Sequence, residues 1–254
     1  RCAVDEDFEE TWKIIDFPTL FARTGIANQN FNTVYQLYRR KREGDVALEN
    51  AQTMLLLPDL LGYFLTGEKK SEYTEVTTTM LYNPTTNWDW ETIRELGLPE
   101  HIFTEIDRAG TLRGHLRPEL AKELGINEAS FAAVGTHDTA SAVAAIPGTG
   151  SFAFCSSGTW SLFGVETDEP ILRDDVRSAN FSNEGTIQGG FRPLRNIMGL
   201  WLIQECRRDW IKAGHTYSWN EIVMEAEKAE PFRSIIDPDF GEFFAGGQMI
   251  EKIQ

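Results

Sequence analysis

FAAVGTHDTASAVAAIPGTGSFAFCSSGTWSLFG, residues 131–164, carries two polar signals on which the reading of the chain turns. In the first, Gly135-Thr136-His137-Asp138-Thr139 ends an apolar run and opens an Ala-rich segment, the pattern of a strand, a tight turn and a helix start. In the second, Ser156-Ser157-Gly158-Thr159 interrupts Phe152-Ala153-Phe154 and Trp160-Ser161-Leu162-Phe163, two short segments of strand character, which predicts a hairpin turn. Each signal has two readings. Asp138 is either an N-cap accepting a backbone N–H, or a carboxylate at a strand C-terminus, where an α/β sheet opens its cleft and a bound hydroxyl can lose a proton. His137 beside it is a weak sign of a catalytic pair, because neighbours on an extended backbone point to opposite sides. The hairpin either needs Gly158 for a positive φ, or exposes backbone N–H groups and hydroxyls that hold phosphate oxygens without a Lys. It is not a P-loop, since no Gly-Lys-Ser/Thr follows.

Outward from this stretch, 254 residues suffice for one large core or two medium ones. Thirty-nine acidic against 24 basic side chains give a net charge of −15, which repels nucleic acid and anionic membranes. A polyanionic substrate therefore needs local donors or a metal ion. Cys2, Cys155 and Cys206 are an odd number at unrelated spacings, so they suggest neither a disulfide framework nor a metal site, and a reducing, cytoplasmic setting is expected. The most apolar window, residues 54–61, is broken by Pro58 and Asp59 and falls short of the roughly 20 residues a membrane helix needs. No signal-peptide pattern precedes it. The chain opens on Arg1 and stops at Gln254 without a recognisable ending, as expected of a segment from something longer.

In chain order, residues 5–15 place Phe8, Trp12 and Ile15 at helical spacing. Residues 32–42 form a second amphipathic pattern, capped by Asn32 or Thr33, whose basic end Arg39-Arg40-Lys41-Arg42 complements the helix dipole. A third helix is expected over 49–65, kinked or divided by Pro58. The Thr-rich run 72–82 suits a strand or a polar pocket wall, and Asn83-Pro84 a turn. Asp89 is placed to cap a helix that Gly97 ends, and Pro118 to start one that Gly125 ends. Residues 168–181 read as a surface excursion, and Gly189-Gly190 as a close backbone approach. A helix is expected over 196–211 with residues 200–203 buried, another over 219–229, and a strand and turn over 235–240.

Six stretches, in order, resemble the FGGY family of carbohydrate kinases, and within it the members that phosphorylate L-rhamnulose. They are Asn32-Thr33-Val34-Tyr35-Gln36-Leu37; Leu57-Pro58-Asp59 through Leu65-Thr66-Gly67; Glu72-Tyr73-Thr74-Glu75-Val76-Thr77-Thr78-Thr79; His137-Asp138-Thr139-Ala140-Ser141-Ala142-Val143; Ser156-Ser157-Gly158-Thr159-Trp160-Ser161-Leu162; and Asn196-Ile197-Met198-Gly199-Leu200-Trp201-Leu202. Any one is a weak signal, and six in register are a strong one.

The resemblance implies an α/β actin-like ATPase (ribonuclease H-like) fold with parts of two domains: residues 1–146 as the remainder of an N-terminal sugar-binding domain and 147–254 as the first part of a nucleotide-binding domain. It implies Asp138 as general base; His137, Thr139 and Asn196 as sugar contacts; Thr159 with Gly158 on the ATP phosphates; and Gln204 as a nucleotide contact. Against these stand a cap role for Asn196 and an exposed helix position for Gln204; on one helix the two would lie roughly 12 Å apart, enough to serve two ends of one cleft. ATP and Mg²⁺ are the implied cofactors, with the substrates between two closing domains and 146–150 as the crossing. The family's N-terminal phosphate hairpin and Gly-rich adenosine segment have no counterpart here, so these 254 residues by themselves are expected to be inactive. A family kinase acting on another ketose, glycerol or a polyol is the alternative, as is a non-catalytic sugar-binding module.

Overall fold

A computed structural model of the chain describes residues 5–148, 150–238 and 240–254. Cys2 and Thr149 lie outside the described residues, as does Asp239 in the expected 235–240 strand. Packing divides the chain into two compact units: residues 1–153 with 164–194, and residues 154–163 with 195–254. The chain passes from one to the other at 153–154, 163–164 and 194–195.

In the first unit, the helices Asp5–Trp12 and Thr33–Arg42 pack through apolar faces, with the Phe8 ring edge-on to Tyr35 at 4.7 Å. The expected cap geometry differs. Asn32 is the N-cap but makes no side-chain cap bond; its oxygen accepts from Gln29 N at 2.7 Å and its amide donates to Thr78 O at 3.1 Å. The basic end of that helix is engaged by carboxylates: Arg39 with Glu43 and Asp7, Arg40 with Asp45, Arg42 with Glu6. The helix expected over 49–65 is divided. Helix Val46–Glu49 ends, an extended segment follows, and helix Leu57–Thr66 starts with Pro58 in its first turn, where a missing N–H costs nothing. Asp89 caps Trp90–Glu95 through Thr92 N, and Pro118–Leu124 forms as its Pro and Gly ends predict.

The Thr-rich run is not a strand. Only its ends are extended: Ser71–Glu72 pairs in parallel with Ile106–Asp107 and Tyr82–Asn83 pairs antiparallel with Asn87–Trp88, while a helical turn Tyr73–Val76 and a 3₁₀ turn Thr77–Thr79 lie between. The Glu72 carboxylate accepts Thr74 N at 3.0 Å and starts the turn. The hydroxyls of Thr77, Thr78 and Thr79 bond back to the carbonyls three residues earlier at 2.9, 2.8 and 2.6 Å. Local side-chain bonds thus outcompete a β ladder. Around these turns sits the core, including Leu20, Val34, Tyr73, Met80 and Ile93. Nearby, Arg113 is buried between two carboxylates, bidentate to Asp107 at 2.7 Å and 2.9 Å from Asp59.

Strands Ala153–Ser157, Trp160–Val165, Phe191–Met198 and Phe181–Gly185 make a four-stranded sheet in that spatial order. Gly190 packs as expected of a close approach: a Cβ there would lie 2.7 Å from the Thr167 carbonyl. In the second unit, helix Trp201–Lys212 packs on helix Met249–Ile253 around Met198, Leu202, Cys206, Phe243 and Met249. The helix begins at Trp201, not at 196, and Leu200 is 48 % exposed rather than buried. Helix Trp219–Lys228 follows with a complete capping box. No strand occurs over the described part of 235–240, where Ile235 is 85 % exposed. No described helix is long and apolar enough to cross a membrane.

Candidate active site

Strand Ser130–Ala132 runs into a turn at 133–137, and helix Asp138–Ala144 starts directly after it, as the residue pattern predicts. The turn is clamped from below by a buried carboxylate. Glu72, 0 % exposed, accepts Thr136 N at 3.1 Å and the Thr136 hydroxyl at 2.9 Å through Oε2, which also takes both donors of Thr74. The Thr74 hydroxyl accepts His137 N at 3.1 Å, and Ser141 Oγ closes the turn by donating to Gly135 O at 2.6 Å. Two main-chain donors are thereby tied to the 72–74 turn, a non-local restraint on the residues before Asp138.

The capping role for Asp138 does not hold. His137 occupies the N-cap without a side-chain bond, and Asp138 is the first helical residue. Its carboxylate is exposed and, among the described residues, accepts a hydrogen bond only from the neighbouring Thr139 hydroxyl, at 3.3 Å. A carboxylate free of backbone donors at the end of a clamped turn is placed to take a proton from an incoming ligand. Thr139 itself is buried and His137 half-buried. Glu75, on the 72–79 turns, feels this acidic surrounding: burial pushes its carboxyl up, His137 opposes, and Asp59, Glu72 and Asp138 add to the rise.

Behind His137 lies an ion pair that the residue pattern did not bring out. Arg192, 0 % exposed, donates through Nη2 to Glu184 Oε2 at 3.2 Å and to His137 Nδ1 at 3.1 Å, and through Nε to Gly185 O at 3.0 Å. Burial pulls the guanidinium below its usual range, against Glu184, Glu166, Asp138 and Tyr73. Among the described residues its Nη1 has no hydrogen-bond partner, nor does Glu72 Oε1. An unpaired buried donor of this kind costs about 1–3 kcal/mol, so the pair is held by packing and by its other contacts. Arg192 sits in the apolar string Phe191, Pro193, Leu194; a charge in such a strand is a signal that a partner carboxylate must exist. Arg108 stacks 4.5 Å over the Tyr73 ring beside these residues in sequence-distant packing.

The remaining candidates lie in the second unit. Gly158 and Thr159 form the two-residue turn between Ala153–Ser157 and Trp160–Val165, so the hairpin is as expected. Gly158 does not have a positive φ, and a Cβ there would meet only Trp160 O at 3.5 Å; neither conformation nor space demands glycine. Its N–H is engaged by Trp160 O at 2.7 Å and is not a free phosphate donor. The exposed Thr159 keeps its N–H and hydroxyl free of hydrogen bonds among the described residues, while its carbonyl takes Gly199 N and Trp201 N at 3.1 and 3.2 Å. Asn196 is in strand Phe191–Met198 and caps nothing; Gln204 is half-buried in the first turn of the following helix. The distance expected from one continuous helix therefore does not apply. Neither side chain has a hydrogen-bond partner among the described residues, which leaves both available to ligands. No group of three His, Cys, Asp or Glu among the described residues is arranged to hold a metal ion.

Comparison with known proteins identifies the family. Residues 6–145 match the FGGY family of carbohydrate kinases, N-terminal domain, and residues 153–252 match the C-terminal domain. The chain is 43 % identical to the rhamnulokinase of Bacteroides thetaiotaomicron over 92 % of its length and 48 % of the relative's. It is 41 % identical to that of Oceanobacillus iheyensis over 98 % and 52 %. The chain thus spans about half the length of the curated relatives it matches. Among solved structures, xylulose kinase from Lactobacillus acidophilus superposes with a TM-score of 0.74 at 17 % identity, covering 89 % of this chain and 45 % of that one. Plasmodium falciparum glycerol kinase with ADP gives 0.70 at 13 % identity, covering 92 % and 50 %. The architecture is that of actin-like ATPase-fold kinases, and the chain belongs to the FGGY family of carbohydrate kinases.

Proposed function

We propose that the full-length protein is an ATP-dependent kinase that converts L-rhamnulose to L-rhamnulose 1-phosphate in L-rhamnose catabolism, in the cytoplasm. The choice of sugar is supported by relatives named rhamnulokinase at 41–43 % identity over more than nine-tenths of the chain. The observation that carries the base role is the exposed, uncapped Asp138 carboxylate at the end of the Glu72-clamped turn. In this reading residues 1–146 are the remainder of the sugar-binding domain and 147–254 the first part of the nucleotide-binding domain.

Asp138 orients the acceptor hydroxyl and takes its proton as that oxygen attacks phosphorus in line. His137, Thr139 and Asn196 hold other sugar oxygens and fix the approach. Thr159 contributes its own N–H and hydroxyl to the phosphates, which lie against the tip at Gly158, and Gln204 contacts the nucleotide. When bound, ATP with its Mg²⁺ supplies the phosphoryl group and offsets its charge, an offset the net charge of −15 makes more necessary. The test is ADP release by the full-length protein with L-rhamnulose, xylulose and glycerol in parallel. A kcat/KM highest for L-rhamnulose is expected. A preference for either other substrate overturns the sugar assignment, and turnover with none of them overturns the kinase reading.

A further inference from the structure

We infer that Arg192 is a positioning residue that fixes His137 as the neutral tautomer protonated at Nε2, giving the sugar one N–H donor beside Asp138. The inference rests on the kinase reading for its ligand but on geometry for the tautomer. A guanidinium has only N–H donors. Arg192 Nη2 lies 3.1 Å from His137 Nδ1, so that nitrogen accepts and carries no proton, and the ring proton is on Nε2. The competing arrangement, an Nδ1–H donated to Glu184, fails on distance: Nδ1 to Oε2 is 3.7 Å, and that oxygen already takes Nη2 at 3.2 Å.

The guanidinium is held against rotation. Glu184 anchors one nitrogen, the Gly185 carbonyl takes Nε at 3.0 Å, and the side chain is 0 % exposed. His137 is held from its own main chain, whose N–H donates to the Thr74 hydroxyl at 3.1 Å. Its side chain is 21 % exposed, and Nε2 makes no hydrogen bond among the described residues. A half-buried ring whose other nitrogen is occupied therefore offers a single donor, which selects an oxygen acceptor: a hydroxyl or keto oxygen of the sugar. Arg192 never touches the ligand. It decides which nitrogen of His137 does, as the partner of one imidazole nitrogen generally sets the chemistry of the other.

The test is ¹⁵N NMR of the full-length protein labelled at histidine, with the His137 signals assigned from a His137→Gln variant. The wild-type ring is expected as the neutral Nε2–H tautomer at pH 7.5. An Nδ1–H or cationic ring overturns the inference without any other variant being needed. Arg192→Met is expected to move the ring to a mixture and to raise KM for the sugar about 3- to 30-fold, the range of one lost or misdirected hydrogen bond. KM for ATP should stay within twofold, and Arg192→Lys should restore the Nε2–H signature in part. Should Arg192→Met fold poorly, Glu184→Gln, which loosens the same guanidinium, carries the comparison. An unchanged tautomer in a folded variant overturns the role of Arg192. If the Nε2–H tautomer is found while no sugar is phosphorylated, the kinase reading falls and the tautomer assignment stands.

Discussion

Removing the Glu72 carboxylate should cost both stability and turnover, by amounts that follow from its contacts. Oε2 serves four donors: the amides and hydroxyls of Thr74 and Thr136. In Glu72→Ala the hydroxyls can rotate to other partners, but the two amides cannot. Thr74 is buried and its amide stays unpaired; Thr136 is half-buried and water reaches it more readily. At about 1–3 kcal/mol for each abandoned donor, with Thr136 at the low end, the loss is about 2–4 kcal/mol. Glu72→Gln keeps one acceptor oxygen for these donors but loses the charge, about 1 kcal/mol per amide bond, and places its NH2 at the buried Oε1 position, where no partner is found among the described residues. The order wild type, Gln, Ala is therefore expected in urea unfolding of the full-length protein, with faster hydrogen exchange at Thr136 in the Ala variant. Because the clamp fixes the turn before Asp138, Glu72→Gln should also lower kcat by about tenfold or more, as small misplacements of a base do. Glu72→Ala within about 0.5 kcal/mol of wild type, with unchanged exchange at Thr136, would refute the clamp.

Three further predictions concern other parts of the molecule. Arg113→Leu leaves Asp59 and Asp107 buried without their cation and should destabilise by about 3–5 kcal/mol in chemical unfolding, with part of the loss recovered when both are also changed to Asn; a loss below about 1 kcal/mol would contradict it. For Glu75, burial followed by neighbouring carboxylates raises the folded pKa above 4.5, so the protonated form favours folding below that value and the benefit is lost as pH rises through the folded pKa. Glu75→Gln should therefore gain stability over wild type with rising pH, read from melting temperatures between pH 4 and 8, and a gain that instead shrinks sinks the assignment. Gly199→Ala would place a Cβ 2.5 Å from Ser161 Oγ and 2.8 Å from Gly158 O, so it should shift the hairpin tip, cost about 1–3 kcal/mol and raise KM for ATP; unchanged melting and KM would show that the tip yields freely.

Local chemistry made much of this legible from residue types. The Asp89 cap, the Pro118 start, the 153–165 hairpin and the strand, turn and helix leading into Asp138 each follow from a few adjacent residues. Contacts between partners distant in sequence leave no such local signal. Residues 196–198 continue the apolar pattern of the helix after them, but pairing within the four-stranded sheet holds Phe191–Met198 extended, and the chain turns only at Gly199. Thr residues favour strands by propensity, yet the Thr-rich run turns because Glu72 is buried under it and bonds a segment 64 residues away. The Arg192, Glu184 and His137 contact was invisible for the same reason: two neighbouring strands carry Arg192 and Glu184, a turn 55 residues before Arg192 carries His137, and nothing in any one neighbourhood names the partner.

Asp138, proposed as the base, makes no N-cap bond and so should carry no structural duty. The direct measurement is kcat for L-rhamnulose phosphorylation by full-length Asp138→Asn, with melting of Asp138→Ala recorded alongside. A fall in kcat of about 10²- to 10⁴-fold is expected. Melting of the Ala variant should be unchanged, since no cap is lost. Activity within a few fold of wild type would contradict the base role, and an Ala variant destabilised by the roughly 1 kcal/mol that a lost N-cap costs would show a structural duty.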